Sequence, residues 1–289
     1  MAIAVAETNN AALVLATDPD ADRVGVGVRN QQGKIELLNG NQTAAILVYY
    51  TLTRLKETGK MPASPMMVKT IVTTDLLEKI AADFKVKMYD VLTGFKYIAE
   101  IIRLQEGKEK FIGGGEESYG YLGADFVRDK DAVMTCCIIA EAAAWAATQN
   151  KTLLDILNDI YSKYGFFAED LLSLTKKGMN GQQEIADMMK SFRENPPKEI
   201  GGSPVVMIKD YKLRTSKDLR TGAGSDIQLP VSDVLQFYLA DGSKVTVRPS
   251  GTEPKIKFYF SVMSDKTGTA AFQASREKLN KLSAVFNSK

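Results

Sequence analysis

The sequence predicts an α/β protein in which a helix-covered, mixed, mostly parallel sheet is followed by an α+β domain. Through the first two-thirds of its 289 residues, apolar strand-like runs alternate with helical patterns, which is typical of a parallel sheet covered by helices. Beyond residue 165, short strands follow one another, and the turn signal Asp241-Gly242 indicates an antiparallel hairpin. The length allows about two domains, each with a core of its own.

The individual elements follow from the spacing of apolar residues. Short apolar or alternating runs indicate strands, and apolar residues repeated every three or four positions indicate helices. Asp75 is expected to cap the helix that follows it, because a carboxylate can accept hydrogen bonds from the free amides of a first helical turn. The predicted strands span 11–16, 24–29, 66–72, 86–91, 110–113, 170–175, 205–209, 235–239, 244–248 and 255–262. The predicted helices span 41–57, 76–84, 95–104, 131–149, 153–164, 181–194 and 269–286.

The chain divides into three segments. Residues 1–38 supply one helix fragment and two strands, too little to close a domain, since cores this small rarely stand alone. Residues 39–165 hold the alternating strands and helices, and residues 166–289 hold the antiparallel part. We therefore expect residues 1–38 to be the end of a domain.

Composition excludes several kinds of chemistry. The chain has no histidine, so a Ser-His-Asp triad or a histidine zinc site within it is excluded, and proton transfer would fall to carboxylates, Lys, Tyr or water. The two cysteines, Cys136 and Cys137, are adjacent, which argues against a disulfide framework and fits a reducing, cytoplasmic compartment. Lys and Arg number 37 against 35 Asp and Glu, a balance that favours neither nucleic acid nor a membrane as partner.

Alternating carboxylates follow the first predicted strand: Asp18, Asp20 and Asp22, with Arg23 directly after them. Carboxylates this close repel one another unless a cation neutralises them, and hard oxygen ligands suit Mg²⁺, which keeps waters and accepts a phosphate oxygen. Arg23 and Arg29 stand where an EF-hand needs Gly and Glu, and Asp22 stands where an aspartyl phosphatase would carry Thr or Val. We favour a magnesium site over a solvated acidic turn.

A second loop, residues 113–121 (GGGEESYGY), follows the strand at 110–113. Glycines allow a backbone to approach a ligand closely, and carboxylates beside a hydroxyl can exchange hydrogen bonds with sugar hydroxyls. Glu116 and Ser118 are therefore candidate sugar-binding residues. A flexible turn whose charges face water explains the same residues equally well.

A third loop, residues 248–257 (RPSGTEPKIK), lies between two predicted strands. The guanidinium of Arg248 offers a planar fork for a phosphate, and Ser250, Thr252 and the amides around Gly251 add donors. An ordinary hairpin turn remains an equal alternative.

Two lysines are further candidates for acid–base or phosphate-binding roles. Lys69 lies on a predicted strand, and Lys130 lies within Val127–Asp131. A lone lysine is more often a solvated surface group, and that interpretation is preferred for both.

Taken in this order, the loops resemble those of the α-D-phosphohexomutase family, the phosphoglucomutases and phosphomannomutases. Residues 17–25 (TDPDADRVG) resemble its metal loop, residues 115–120 (GEESYG) its sugar-recognition loop and residues 248–254 (RPSGTEP) its phosphate-binding loop. Residues 92–98 (LTGFKYI) and 127–133 (VRDKDAV) also resemble family segments, those of the bacterial phosphoglucomutase and phosphopentomutase-like branch. The resemblance covers essentially the whole chain.

The resemblance implies four domains around a cleft. A phosphoserine of the first domain gives its phosphoryl group to a hexose phosphate, and the bisphosphate intermediate then reorients and returns its other phosphate. Residues 1–38 are then the end of domain 2, 39–165 domain 3 and 166–289 domain 4. The implied roles are Mg²⁺ binding for Asp18, Asp20 and Asp22; sugar contact for Glu116 and Ser118; a grip on the non-reacting phosphate for Arg248, Ser250, Gly251 and Thr252; and catalysis for Lys130, Lys69 and Arg23.

One departure from the family pattern limits what is expected of this chain. The family's phosphoserine loop contains Thr-Ala-Ser-His-Asn-Pro or a close variant, and no such stretch occurs here. We expect a piece of a longer mutase, or one product of a split gene, that binds glucose or mannose phosphate weakly and does not turn it over alone. The alternatives are a non-catalytic phosphosugar- or metal-binding module or subunit, and a phosphopentomutase.

Overall fold

The structure, a computed structural model, describes residues 1–176, 180–251, 253–265 and 268–287, in two compact units, Met1–Tyr164 and Gly165–Lys289. The first unit carries the helices α1 (Ala2–Thr8), α2 (Gly40–Glu57), α3 (Leu76–Asp83), α4 (Phe95–Gln105), α5 (Ala132–Ala147) and α6 (Leu153–Tyr164). Its strands are β1 (Leu13–Thr17), β2 (Val24–Arg29), β3 (Ile35–Leu38), β4 (Pro65–Thr70), β5 (Lys87–Val91), β6 (Lys110–Gly115) and β7 (Tyr121–Leu122).

A three-stranded antiparallel sheet, ordered β1-β2-β3, opens the first unit. Val24, Val26 and Val28 alternate along β2 and are buried, because successive side chains of a strand point to opposite faces. The sequence predicts only two strands here. The third, β3, is too short at 4 residues for alternation to reveal it, and its pairing with β2, Leu38 opposite Val26, defines it.

The second sheet of this unit has the order β5-β4-β6-β7. β4 pairs in parallel with both β5 and β6, and β7 is antiparallel to β6. One apolar core joins the sheet to α4, through Phe95, Ile98 and Ile102 of the helix and Met66 and Val68 of β4. The predicted helix-covered, mixed and mostly parallel sheet is thus confirmed.

Strand β6 runs to Gly115, two residues beyond its predicted end, because its glycines fit closely against β4. A Cβ atom added to Gly114 would lie 2.2 Å from the carbonyl oxygen of Val68. The close approach that Gly114 permits is therefore to a neighbouring strand, which differs from the predicted approach to a ligand.

The long apolar helix α5 begins at Ala132 behind the N-cap Asp131, whose side chain accepts from the amide of Met134. Helices α2, α5 and α6 pack against one another. Within the ranges that the structure describes, every helix falls short of the length or apolar character needed to cross a membrane.

The second unit is an antiparallel sheet with the strand order β12-β11-β10-β13-β14-β15-β8, to which β9 adds by pairing with β10. The helices pack with the sheet in a shared core that includes Phe192 and Phe286 from the helices and Phe237 and Phe258 from the strands. Its strands are β8 (Phe166–Thr175), β9 (Glu199–Ile200), β10 (Ser203–Asp210), β11 (Thr215–Asp218), β12 (Gly224–Asp226), β13 (Leu235–Leu239), β14 (Lys244–Pro249) and β15 (Lys255–Ser264), and its helices are α7 (Gly181–Glu194) and α8 (Thr269–Asn287).

The predicted hairpin is present between β13 and β14. Gly242 has a φ of +83°, which favours glycine, and its amide donates to the carbonyl of Leu239 at 3.0 Å. The sequence analysis missed β9, β11 and β12. β11 and β12 have mostly exposed, polar side chains, so their strand character comes from backbone pairing that apolar spacing cannot report.

Candidate functional site

The candidate residues of the first unit lie where the parallel strands end. Lys69 is next to last in β4, Gly94 follows β5 after two residues, and Glu116 follows β6 directly. Ligands of open α/β sheets bind at the carboxyl ends of the strands. The strand ends therefore define one edge at which these side chains can act together.

The aspartate loop, residues 18–23, connects β1 to β2 in a tight turn. One carboxylate oxygen of Asp18 accepts from the amides of Asp22 and Arg23, both at 3.1 Å, and the Arg23 guanidinium lies 3.6 Å from its other oxygen. Burial works to raise the pKa of Asp18, but the two amide hydrogen bonds and the Arg23 charge outweigh it and lower that pKa. Asp18 is therefore an ionised part of the turn itself.

The donor chemistry of the aspartate loop fits a hard cation. Asp22 Oδ1 is buried and makes no hydrogen bond to any described residue, and Asp20 is exposed. The Arg23 guanidinium lies 3.9 Å from this oxygen, too far for a hydrogen bond, and a bound cation would satisfy the oxygen directly. Among the described residues, however, no three acidic, His or Cys side chains already surround one point. Binding Mg²⁺ would therefore require the aspartate side chains to turn inward.

The aspartate loop lies directly beside the sugar-recognition turn, residues 116–120. Arg23 and Gly120 form an antiparallel bridge, and the Val24 amide donates to the carbonyl of Tyr119 at 3.3 Å. Two segments nearly a hundred residues apart in sequence thus share backbone contacts. The aspartate loop and the sugar-recognition turn are therefore direct neighbours in the first unit.

Lys130 spans the two segments. Its Nζ lies 3.0 Å from Asp22 Oδ2 and 2.8 Å from Asp129 Oδ1, and its side chain is only 11% exposed. A Cβ atom added to Gly120 would lie 2.3 Å from the Lys130 Cδ, so a larger residue at position 120 would displace the lysine side chain from this position. Burial alone would lower the pKa of Lys130, but its carboxylate partners raise it. The preferred interpretation of Lys130 as a solvated surface group is wrong.

The two glutamates of the sugar-recognition turn contact different elements. Glu116 is buried, and its Oε1 accepts from the amide of Gly94 at 2.9 Å. Glu117 Oε2 accepts from the hydroxyls of Thr70 and Thr73 at 3.3 and 3.4 Å. Ser118, which follows, is half-buried.

Lys69 is fully buried, so its preferred interpretation as a surface group is also wrong. Its Nζ lies 2.6 Å from Asp90, 3.1 Å from Asp75 and 3.7 Å from Glu78. Burial would lower the pKa of Lys69, but the three carboxylates outweigh it and hold that pKa well above its ordinary value. An ammonium surrounded by carboxylates favours a structural role over the acid–base role that the resemblance implies.

The same cluster overturns the capping prediction. Asp75 occupies the N-cap position of α3, but its side chain makes no capping hydrogen bond. Its carboxylate accepts from Lys69 instead. The Leu76 amide at the start of α3 donates instead to the hydroxyl of the buried Thr74 at 3.3 Å, so the helix end does not depend on the Asp75 side chain, whereas a buried ammonium without a partner would be costly.

The predicted phosphate loop belongs to the second unit, where it joins β14 to β15. The Ser250 amide donates to the carbonyl of Lys255 at 2.7 Å, and the Ser250 hydroxyl accepts from the Glu253 amide at 3.3 Å. Within the described part of the chain, the Arg248 guanidinium forms no ion pair, and a Cβ atom on Gly251 would meet nothing within 4 Å. Thr252 lies outside the described residues.

A groove of about 530 Å³ lies at the opposite, amino-terminal edge of the parallel sheet. Its lining includes Ser64, Phe111 and Arg128 and none of the predicted site residues. This groove therefore does not coincide with the candidate site, which is defined by the Lys130–Asp22 ion pair and the backbone bridge between Arg23 and Gly120.

Sequence reasoning missed three residues that hold the sugar-recognition turn: Gly40, Thr70 and Thr73. A Cβ atom on Gly40 would lie 2.0 Å from the carbonyl oxygen of Glu117 and 2.8 Å from the amide nitrogen of Tyr119. A glycine at the start of a helix, and two threonines three residues apart at a strand end, are the available signals. Both are too common to single out without the fold.

The chain is similar to a family of known enzymes. The family model for phosphoglucomutase/phosphomannomutase alpha/beta/alpha domain III matches residues 39–164, and the model for the C-terminal domain matches residues 198–278. A phosphoglucomutase of Staphylococcus epidermidis is 40% identical over 286 residues, which is 99% of this chain and 50% of that protein. One from Staphylococcus aureus is 40% identical over 261 residues, 90% of this chain and 46% of that protein. The chain therefore spans about half the length of these curated relatives.

Solved structures show the same fold. Parafusin, a phosphoglucomutase from Paramecium, aligns in its open form with a TM-score of 0.61 and 19% identity, covering 96% of this chain and 44% of that one. A phosphoglucomutase/phosphomannomutase family protein from Burkholderia thailandensis aligns with a TM-score of 0.58 and 16% identity, covering 97% and 49%. At these identities the likeness concerns the fold alone.

Proposed function

Starting from the fact that this chain belongs to the phosphoglucomutase/phosphomannomutase family, we propose that it carries the metal-, sugar- and phosphate-binding groups of a phosphohexomutase. The reaction is the Mg²⁺-dependent transfer of a phosphoryl group between C1 and C6 of a hexose phosphate. The phosphoserine that this transfer needs has no counterpart among these residues, so a polypeptide corresponding to the family's first domain must supply it. By itself, the chain binds phosphosugar and does not turn it over.

The single observation that carries this proposal is the meeting of the aspartate loop and the sugar-recognition turn. Arg23 bridges to Gly120, and Lys130 reaches Asp22 at 3.0 Å. Carboxylates that suit Mg²⁺, a lysine and a carboxylate–hydroxyl pair thus lie within one region. Phosphoryl transfer depends on positioning and on charge neutralisation, and these groups supply both.

The acidic residues of the two segments have different proposed roles, metal binding and sugar binding. Asp18, Asp20 and Asp22 would hold Mg²⁺, which when bound neutralises charge on the phosphoryl group being transferred. Glu116 and Ser118 hydrogen-bond sugar hydroxyls and thereby orient the ring.

Three cationic side chains act on phosphate and on protons. Lys130, whose pKa is raised, stays protonated near neutral pH and orients phosphate or donates a proton, with Arg23 beside it. In the second unit, Arg248 binds the phosphate that does not react, aided by Ser250, Gly251 and Thr252.

Two measurements test the proposal. Calorimetric titration of the chain with glucose 6-phosphate in the presence of Mg²⁺ is expected to show binding. Incubation with glucose 1-phosphate, Mg²⁺ and a bisphosphate activator is expected to yield no glucose 6-phosphate. The absence of any sugar phosphate binding would exclude the proposal, and conversion by the chain alone would exclude its inactivity.

A turnover assay and a further titration separate the alternatives. A non-catalytic module would bind glucose 6-phosphate, but adding a family first domain with its phosphoserine would not restore turnover. Tighter binding of ribose 1-phosphate than of glucose 1-phosphate would favour a phosphopentomutase. By analogy with the family, the Glu-Glu-Ser sequence of the turn favours glucose over mannose.

A further inference from the structure

The adjacent glutamates of the sugar-recognition turn, which follows β6, connect it to the ends of the other two parallel strands, β4 and β5. Glu116, after β6, accepts from Gly94, which follows β5. Glu117 accepts from Thr70 at the end of β4 and from Thr73 just beyond it. The carboxyl ends of three parallel strands are therefore joined through two consecutive carboxylates.

The contact made by Glu117 is built from buried groups. Thr70 and Thr73 are both fully buried, and their hydroxyl oxygens lie 2.9 Å apart. Two buried hydroxyls can satisfy one another only in part, because one of the two protons still needs an acceptor. The Glu117 carboxylate provides that acceptor, 3.3 Å from the Thr70 hydroxyl and 3.4 Å from the Thr73 hydroxyl.

Close contact with helix α2 also restricts the backbone of the sugar-recognition turn. The Glu117 carbonyl oxygen lies so close to Gly40 of α2 that an added Cβ would come within 2.0 Å. With α2 behind it and the two threonines holding its side chain, the backbone at Glu117 has little room to rotate. Because the backbone at Glu117 is fixed, the positions of its two neighbours, Glu116 and Ser118, are fixed as well.

We propose that Glu117 is a positioning residue that orients Glu116 and Ser118 towards the sugar hydroxyls and so determines which hexose phosphate binds. This inference rests on the proposed function, in which those two residues contact the ring. Glu117 itself faces the threonines and contacts no substrate.

Three variants separate positioning from other effects. Glu117→Ala removes the acceptor, whereas Glu117→Gln keeps an amide oxygen that the threonine hydroxyls can still reach. Glu57→Ala is the matched control, because Glu57 lies at the far end of α2 in an exposed pair with Arg54. Each variant is a single substitution in the 289-residue chain.

Titrations with glucose 6-phosphate and galactose 6-phosphate, which differ in one ring hydroxyl configuration, are the first readout. We expect Glu117→Ala to weaken glucose 6-phosphate binding up to about tenfold, the size of one lost hydrogen bond, with little change for the galactose compound. The preference for glucose 6-phosphate over galactose 6-phosphate, which we expect in the wild-type chain, is then lost in Glu117→Ala. Glu117→Gln and Glu57→Ala should keep the wild-type preference, and inorganic phosphate should bind all variants alike. A purely structural role would weaken every ligand equally.

Hydrogen exchange over residues 113–121 is the second readout, and it needs no ligand. The Glu116 amide donates to the Gly120 carbonyl at 2.8 Å, and we expect faster exchange there in Glu117→Ala only. Unchanged exchange, or an unchanged glucose preference in Glu117→Ala, would overturn the inference. Failure of the wild-type chain to bind either sugar phosphate would instead defeat the proposed function, and with it the specificity role.

Discussion

The Lys130 ammonium lies 3.0 Å from the Asp22 carboxylate, across a glycine that leaves it room to pass. It thus holds one of the three aspartates proposed to bind Mg²⁺. The lysine and the metal ion compete for the same negative charge, because both are cations within reach of Asp22.

Removal of that competitor should strengthen metal binding. Lys130→Gln is expected to raise the affinity for Mg²⁺ about threefold to tenfold in the absence of sugar, a modest effect because the pair is partly exposed. Calorimetric titration with magnesium chloride measures it. Lys108→Gln, which removes an exposed lysine from the turn before β6, is the control. An affinity that falls in Lys130→Gln would mean that the lysine helps to build the site.

Asp20 and Asp18 should differ in what they contribute to the aspartate loop. Asp20 is exposed, so Asp20→Asn should weaken Mg²⁺ binding without changing the unfolding midpoint. Asp18 accepts from two backbone amides through one carboxylate oxygen, so Asp18→Ala should weaken Mg²⁺ binding and also lower the unfolding midpoint. Titration and thermal unfolding of both variants check this. Equal Mg²⁺ affinity in Asp20→Asn and wild type would remove the loop from the site.

Gly40→Ala should destabilise the protein even though alanine favours helices. The gain in helix propensity is about 1 kcal/mol, but the added methyl would meet backbone atoms of Glu117 and Tyr119 that cannot move aside easily. We expect a net loss of about 1–3 kcal/mol in the free energy of unfolding, measured in urea. Gly251→Ala is the control, because its methyl would meet nothing within 4 Å. Equal stability of the two variants would contradict the clash.

Arg248→Ala should lower phosphosugar affinity by about 1.5–3 kcal/mol, the contribution of a hydrogen bond to a charged group. The loss should shrink as salt increases, because the interaction is electrostatic. Lys217→Ala, a cation on β11 of the same unit, should have no such effect. If Arg248→Ala binds glucose 6-phosphate as tightly as wild type at low salt, the loop is only a turn.

Lys69 should make stability depend on alkaline pH. Its pKa is raised in the folded state, so the native protein holds a proton that the unfolded chain loses near its ordinary pKa of about 10.4. The contribution is complete below that pH, and stability falls as pH rises from there towards the folded pKa. Urea unfolding at about pH 9, 10 and 11 should show this fall in wild type.

The variant Lys69→Met provides the comparison. It should be less stable near neutral pH by about 1.5–3 kcal/mol, the contribution of a hydrogen bond to a charged group, because three partly exposed carboxylates lose their common partner. Its stability should also decline less steeply above about pH 10. A parallel decline in both proteins would assign the alkaline effect to other groups.

Local patterns determined much of this protein. The alternation of strands and helices predicted the parallel sheet, and Asp241-Gly242 marked a hairpin that the structure contains. The three candidate loops could be recognised from the sequence alone, because their combinations of residue types are unusual. The absence of histidine excluded a Ser-His-Asp triad and a histidine zinc site within this chain.

Only the tertiary structure decided which of these residues meet, and what they do there. Asp75, six residues after Lys69, occupies a helix N-cap position, but its carboxylate accepts a hydrogen bond from Lys69 and does not cap the helix. Glu117 accepts hydrogen bonds from Thr70 and Thr73, which lie more than forty positions earlier in the sequence. Apolar spacing and residue type report local backbone preference and chemistry. They carry no information about which distant segment will cover a side chain, and burial beside a particular partner is what turns a lysine or a glutamate from a surface charge into part of a site.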